Sequence, residues 1–214
     1  MHIISIIIII LHFICANYLR NRYDAKKNTG MIVSSVTSSL FSLVSNTIFQ
    51  TDLIFAKRLT RVYYNVYSYN ILEIVCQSLL YIIMTDLLLY TVHRLLHSKL
   101  LYKYIHYFHH KNNYPTALDF ASVHPVESII IFITFHIVPF IIPVHIIVLE
   151  LYIVHMGIRS LFEHGNGWKM ISNITVFKFL YNNHHNNHHK YYTANYGLGV
   201  FPVMWDKIFN TLKY

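Results

Sequence analysis

Charge is what this sequence has least of. Only 12% of its 214 residues are Asp, Glu, Lys or Arg, about half the share in an ordinary soluble chain. Burial in lipid accounts for such a shortage, because lipid-facing positions need no charge. Acids are scarcer than bases, nine against 17, which leaves a formal net charge of +8. A nucleic-acid binder would be polar as well as basic. With 55% apolar residues this chain is not, so nucleic acid is not an expected partner. Basic residues bordering apolar segments fit the cytoplasmic face of a membrane instead. Cysteine is limited to Cys15 and Cys76, both in apolar stretches, which argues against a disulfide framework and against a C-x-x-C metal motif. Glycine is sparse too. Gly165-x-Gly167 and Gly197-x-Gly199 have Met170 and Pro202 where a third glycine would stand, so no dinucleotide-binding fingerprint is present.

Apolar runs fill the space. Ile3 to Leu19 is almost wholly apolar and is followed by Arg20, Arg22, Lys26 and Lys27. A signal peptide carries its charge before the apolar core, so this run reads as a first membrane anchor. Met31 to Phe55, rich in Ser and Thr, is a second candidate, and Ile71 to Val92 a third that runs straight into His93. Ser128 to Leu149 carries no full charge, but Pro139 and Pro143 predict a kinked span or a re-entrant hairpin there. The expected fold is all-α: an integral membrane helical bundle with about three to four membrane segments. Residues 1–70 form an anchor region, and 71–214 carry the chemistry.

Histidine is in excess, with 16 in the chain. Asp86, Tyr90, His93 and His97 are spaced i, i+4, i+7, i+11, one stripe of a helix. Two imidazoles one turn apart can bracket a metal. Asp86 lies in an apolar segment, where an ionisable group needs a partner, and is expected to orient Tyr90 or a ligand imidazole. His106, His109 and His110 follow in the spacing H-x-x-H-H. Nine residues separate His97 from His106, so a turn around Ser98 to Leu101 must bring the clusters to one site. The same spacing recurs as His185, His188 and His189, preceded by His184. Compositional drift produces histidine runs, but not two copies of one pattern plus an H-x-x-x-H pair. Eight or more imidazoles imply two ions, since one ion accepts at most about six donors. Imidazole affinity alone favours copper or zinc, and the Glu-x-x-His pairs of soluble di-iron bundles are absent from the sequence.

The order H-R-x-x-H (His93 to His97), H-x-x-H-H (His106 to His110) and H-H-x-x-H-H (His184 to His189) resembles the fatty acid hydroxylase/sterol desaturase superfamily. Tyr102-Lys103, His124-Pro125-Val126-Glu127, Asn195-Tyr196-Gly197 and Trp205-Asp206-Lys207 match as well, so the resemblance runs from Asp86 to Thr211. The stretch from His136 to His145 looks like the sterol C5-desaturase branch. H-P-V-E and Phe209-Asn210-Thr211 look closer to the C4-methyl sterol oxidases. Glu163-His164-Gly165 stands where the superfamily has a lone histidine before glycine. The resemblance therefore implies a metal set of His93, His97, His106, His109, His110, His164, His184, His185, His188 and His189, with His124 close by. It also implies two non-haem iron ions, O2 as co-substrate, and oxidation of an unactivated C–H bond of a sterol or, alternatively, a fatty acyl or sphingolipid chain. Electrons would come from NAD(P)H through an external donor such as cytochrome b5, docked on Lys99, Lys103, Lys111 and Lys190. The site would face the cytosol from the endoplasmic reticulum or an equivalent membrane. A non-redox zinc-binding or transport protein is the alternative from another class.

Overall fold

Asn70 starts the principal helix. Its side chain accepts from the Glu73 N–H at 2.9 Å, and Glu73 accepts from the Asn70 N–H at 2.9 Å. This reciprocal pair satisfies two backbone donors that the helix cannot pair itself. The computed structural model describes residues 59–111, 115, 119–120, 122–164 and 184–213. The expected segments Ile3–Leu19 and Met31–Phe55 lie outside the described residues.

Helix α1 (Ile71–Leu96) buries Tyr81, Thr85, Asp86, Leu89, Tyr90, His93 and Leu96, one stripe at helical spacing. It ends at His97 and Ser98, whose N–H groups bond back to His93 and Leu95. That break is the turn the histidine spacing requires. The chain then runs through α2 (Lys99–Leu101), a π-helical turn (Tyr102–His106) and α3 (Tyr107–His110). Such π turns shift the register of the side chains that follow. Here the turn carries His106, the first residue of the second histidine box.

Helix α4 (Pro125–His136) has proline in its first turn, where the missing N–H costs nothing. It stops before a 3-10 turn (Val138–Phe140) and the two-residue strand β2 (Val144–His145). The break predicted at Pro139 and Pro143 is present, and the straight part of α4, 12 residues, is too short for the roughly 30 Å hydrocarbon layer. Strand β2 pairs in parallel with β1 (Val62–Tyr63), and the Arg61 N–H bonds Pro139 O at 2.7 Å. The segment entering α1 is thus fastened to the α4–α5 connection. His145 acts there as a connector: its Nε2 donates to Tyr64 O and its Nδ1 accepts from Ile147 N–H, both at 3.2 Å.

Helix α5 (Ile146–His164) turns Leu149, Tyr152, Met156, Arg159 and Glu163 inward. Helices α6 (His184–Lys190) and α7 (Pro202–Ile208) complete the described chain. α1 packs on α4, β2 and α7, and α6 on α5. An apolar core of Tyr81, Leu89, Val138, Val144, Leu149, Tyr152 and Met156 joins α1, β2 and α5.

The distribution of polarity is inverted relative to a water-soluble protein. Asp86, Glu127, Arg159, Glu163 and Asp206 are at most 3% exposed, whereas Ile71, Leu72 and Leu151 are 77%, 69% and 62% exposed. Among the described residues α1 is the one helix long and apolar enough to cross a membrane, and Pro125–Phe140 is apolar but shorter.

Candidate metal centre

Nine histidines converge into two groups whose ring nitrogens lie within 4.8 Å of one another. The first holds His93, His97, His106, His110 and His188, and the second His109, His164, His185 and His189. α1 brings His93 and His97, the π turn and α3 bring His106, His109 and His110, α5 ends on His164, and α6 supplies the rest. Neighbouring residues divide between the groups: His109 and His110 part company, and so do His188 and His189. The groups adjoin, with the His110 and His189 rings 4.5 Å apart.

The Nε2 atoms face each other. In the first group His106 Nε2 is 3.2 Å from His93 Nε2 and 3.1 Å from His110 Nε2, which is 3.1 Å from His188 Nε2. In the second, His164 Nε2 lies 3.3, 3.0 and 3.3 Å from those of His109, His185 and His189. His185 and His189 are 3.1 Å apart. Donors bonded at about 2.0–2.1 Å to one ion stand about 3–3.4 Å from each other, so the spacing suits a shared cation.

The other ring nitrogen decides the protonation. His93 Nδ1 donates to Tyr196 O at 2.7 Å and His188 Nδ1 to Ala194 O at 2.6 Å. His164 Nδ1 donates to Ser160 O at 2.8 Å. His106 Nδ1 donates to Glu127 Oε1 at 2.8 Å. A neutral imidazole with its proton on Nδ1 has a bare lone pair on Nε2. His93 and His106 therefore point two lone pairs at each other with no proton between, an arrangement that a cation relieves. Burial, and then the neighbouring imidazoles, hold the rings neutral. His97 is pushed down to about 2, and His106, His109, His185, His188 and His189 lie well below the ordinary histidine value. Neutral imidazole is the metal-binding form.

A brace finishes the first group. Asp206, with its carboxylate fully buried, accepts from Tyr196 N–H (2.9 Å), Gly197 N–H (2.7 Å), Thr211 Oγ1 (2.6 Å) and His184 Nε2 (3.0 Å). Burial alone would raise its pKa, but these donors outweigh burial and hold it below the usual carboxylate value. Asn195, at φ 61°, bonds Lys213 through both its side-chain oxygen and its amide. The carbonyls of Ala194 and Tyr196 are thereby aimed at His188 and His93.

Several expected roles fall elsewhere. His184 belongs to neither group, because its ring is turned to Asp206. Asp86 orients no imidazole: it accepts from Tyr152 OH at 2.5 Å and Phe201 N–H at 2.8 Å. Tyr90 bonds Thr211 and Arg94. His124 caps α4, its Nδ1 accepting from Val126 N–H at 3.2 Å. Among the described residues, the acid that reaches a ring of either group is Glu127. Its signal in the sequence is one carboxylate in the first turn of an otherwise apolar helix. Arg159 was also missed. Buried, it donates to Gly199 O at 2.5 Å and Glu163 Oε1 at 2.6 Å, a pair visible only as i, i+4 charges in an apolar helix. Gly199 lets the chain pass Asp86, since a Cβ there would collide with the carboxylate.

Human lathosterol oxidase is 30% identical over 148 residues, covering 69% of this chain and 48% of the human protein. The Delta(7)-sterol 5(6)-desaturase of Leptosphaeria maculans is 31% identical over 128 residues, covering 60% of this chain and 34% of its own length. The chain thus spans about half or less of the length of these curated relatives. No solved structure matches it significantly. The fatty acid hydroxylase profile matches residues 78–211, a stretch that holds every histidine of both groups, the Glu127 acceptor and the Asp206 brace. The chain is similar to sterol desaturases as well, and it belongs to the fatty acid hydroxylase family.

Proposed function

We propose that this protein is an O2-dependent membrane oxidoreductase acting on an unactivated C–H bond of a sterol, through two iron ions held by the nine clustered histidines. The observation that carries the reading is the set of converging Nε2 lone pairs, with Nδ1 protons parked on Tyr196 O, Ala194 O, Ser160 O and Glu127. His184, turned to Asp206, is left out of the ligand set. When bound, two irons in such a site supply oxidation by O2 of a C–H bond that no acid or base could activate.

The chain's own part is to hold and to exclude. Short Nδ1 bonds set the tautomer and direction of His93, His106, His164 and His188 before any ion arrives. The apolar outer faces of α1, α4 and α5 seat the bundle among lipids, so a sterol reaches the histidines from the bilayer. The clustered rings are themselves buried, His93, His106 and His188 at 1% exposed or less, which keeps water scarce. The names of the relatives favour a sterol over a fatty acyl chain, and 5(6)-desaturation over hydroxylation. We place the histidines at the cytosolic face of the endoplasmic reticulum or an equivalent membrane, in a bundle of about three to four spans. Electrons come from NAD(P)H through an acidic haem donor of the cytochrome b5 kind, for which exposed Lys99, Lys103, Lys111 and Lys190 offer a complementary surface.

Sterol profiling by mass spectrometry after expression in a host lacking sterol C5-desaturase tests the reading. New Δ5 sterols are expected. Lost C4 methyl groups or 2-hydroxy acyl chains redirect the substrate, and purified protein without iron after iron-replete expression removes the oxidase reading altogether.

A further inference from the structure

The two histidine groups differ in more than the number of rings. Among the described residues, one ion pair joins a carboxylate to a ring of either group: His106 Nδ1 to Glu127 Oε1 at 2.8 Å. The other His–carboxylate pair involves His184, outside both groups. Three other rings of known Nδ1 partner donate to backbone carbonyls. Glu127 is 3% exposed, and its second oxygen has no hydrogen-bond partner. A buried carboxylate with half its acceptor capacity unused is expensive unless a positive centre compensates it. Its one polar route to such a centre runs through His106.

Local structure puts Glu127 there and nowhere else. Pro125 opens α4, His124 caps it, and Glu127 is the third residue of the first turn, where the helix dipole favours an anion. From that turn it reaches into the first group across 21 residues of chain.

We propose that Glu127 is a positioning residue that makes the two metal positions unequal. Through His106 it lends negative charge to the five-histidine group, so that this position binds a divalent cation more tightly and fills first. The four-histidine group, with no carboxylate behind a ring among the described residues, fills second. This inference rests on the metal reading given above and adds an order to it.

Co2+ titration of the full-length protein in lipid nanodiscs, followed by its visible d–d absorption and by chelator competition, reads both positions without turnover. Wild type is expected to take up two ions in two separable steps. Glu127→Gln keeps the size and an acceptor oxygen but removes the charge. It is expected to weaken the tighter step about 10–100-fold, change the absorption of the first ion bound, and leave the weaker step in place. Glu127→Ala should weaken the same step at least as much. A purely structural brace would leave Glu127→Gln like wild type while Glu127→Ala fails, and that result overturns the proposal. Two indistinguishable steps in wild type overturn it as well. If wild type takes up no Co2+, the metal reading itself has failed, and this inference falls with it.

Discussion

The two H-x-x-H-H boxes share one spacing and serve the two groups in opposite senses. In the box on the π turn and α3, the outer pair His106 and His110 enters the first group and the middle ring His109 the second. In α6 the outer pair His185 and His189 enters the second group and the middle ring His188 the first. Each box therefore ties both positions together. The support behind them differs. The first group leans on Tyr196 O, 103 residues from His93, on Glu127, 21 from His106, and on the nearby Ala194 O, six from His188. In the second, His164 donates to Ser160 O, one turn away on its own helix. Through Tyr196 and Glu127 the orientation of His93 and His106 depends on tertiary folding, whereas that of His164 is set within its own helix.

The largest effects should come from the adjacent rings. His188→Ala is expected to remove the ion of the first group and His189→Ala that of the second, each lowering product formation by more than about 100-fold. Metal content per chain checks the assignment, and loss of the same ion in both variants breaks the comparison.

Next comes the brace. Asp206→Asn leaves donors from Tyr196, Gly197, Thr211 and His184 without their charged acceptor and should cost about 3–5 kcal/mol, read as a lower Tm. Its damage to metal binding should fall on the first group alone. The pH dependence has a definite sign. Asp206 has a folded pKa below its unfolded value of about 3.9, so its stabilisation is present above pH ~4 and disappears as pH falls through the depressed folded value. Acid unfolding curves of wild type and Asp206→Asn should converge at low pH and separate above it.

Gly199→Ala forces a side chain onto the Asp86 carboxylate and should destabilise by about 1–3 kcal/mol, visible in thermal unfolding. Smallest is Tyr90→Phe, which deletes the 2.9 Å bond to Thr211 and should cost about 1 kcal/mol. A Tyr90→Phe effect as large as that of Asp206→Asn would show that the brace acts through Thr211 and not through the carboxylate.

Local features were legible from the sequence. The stripe on α1, the break between His97 and His106, and the kink at Pro139 and Pro143 follow from periodicity and backbone chemistry within a few residues. Convergence of nine of the ten expected histidines follows from the same spacings. Partner choice was not legible, because it depends on contacts far apart in the chain. Asp86 bonds Tyr152 and the Phe201 N–H, 66 and 115 residues away, so spacing to Tyr90 was a poor guide. His184 matches its box as well as His185 does, and only Asp206, 22 residues on, separates them. Glu127 stood in a recognised stretch without a role, since nothing local links it to His106.

The tie between Asn195 and Lys213 bears on how the protein is made. The carbonyls that aim His93 and His188 are held by Asp206, Thr211 and Lys213, so they cannot be fixed until those residues have left the ribosome. By then α1 has long been synthesised. The first histidine group stays incomplete until Asn195, Asp206 and Lys213 have been translated. Contacts spanning 103 residues, such as His93 to Tyr196, also form slowly. A cation that arrives before Asp206, Thr211 and Lys213 are in place finds the rings of the first group unaimed.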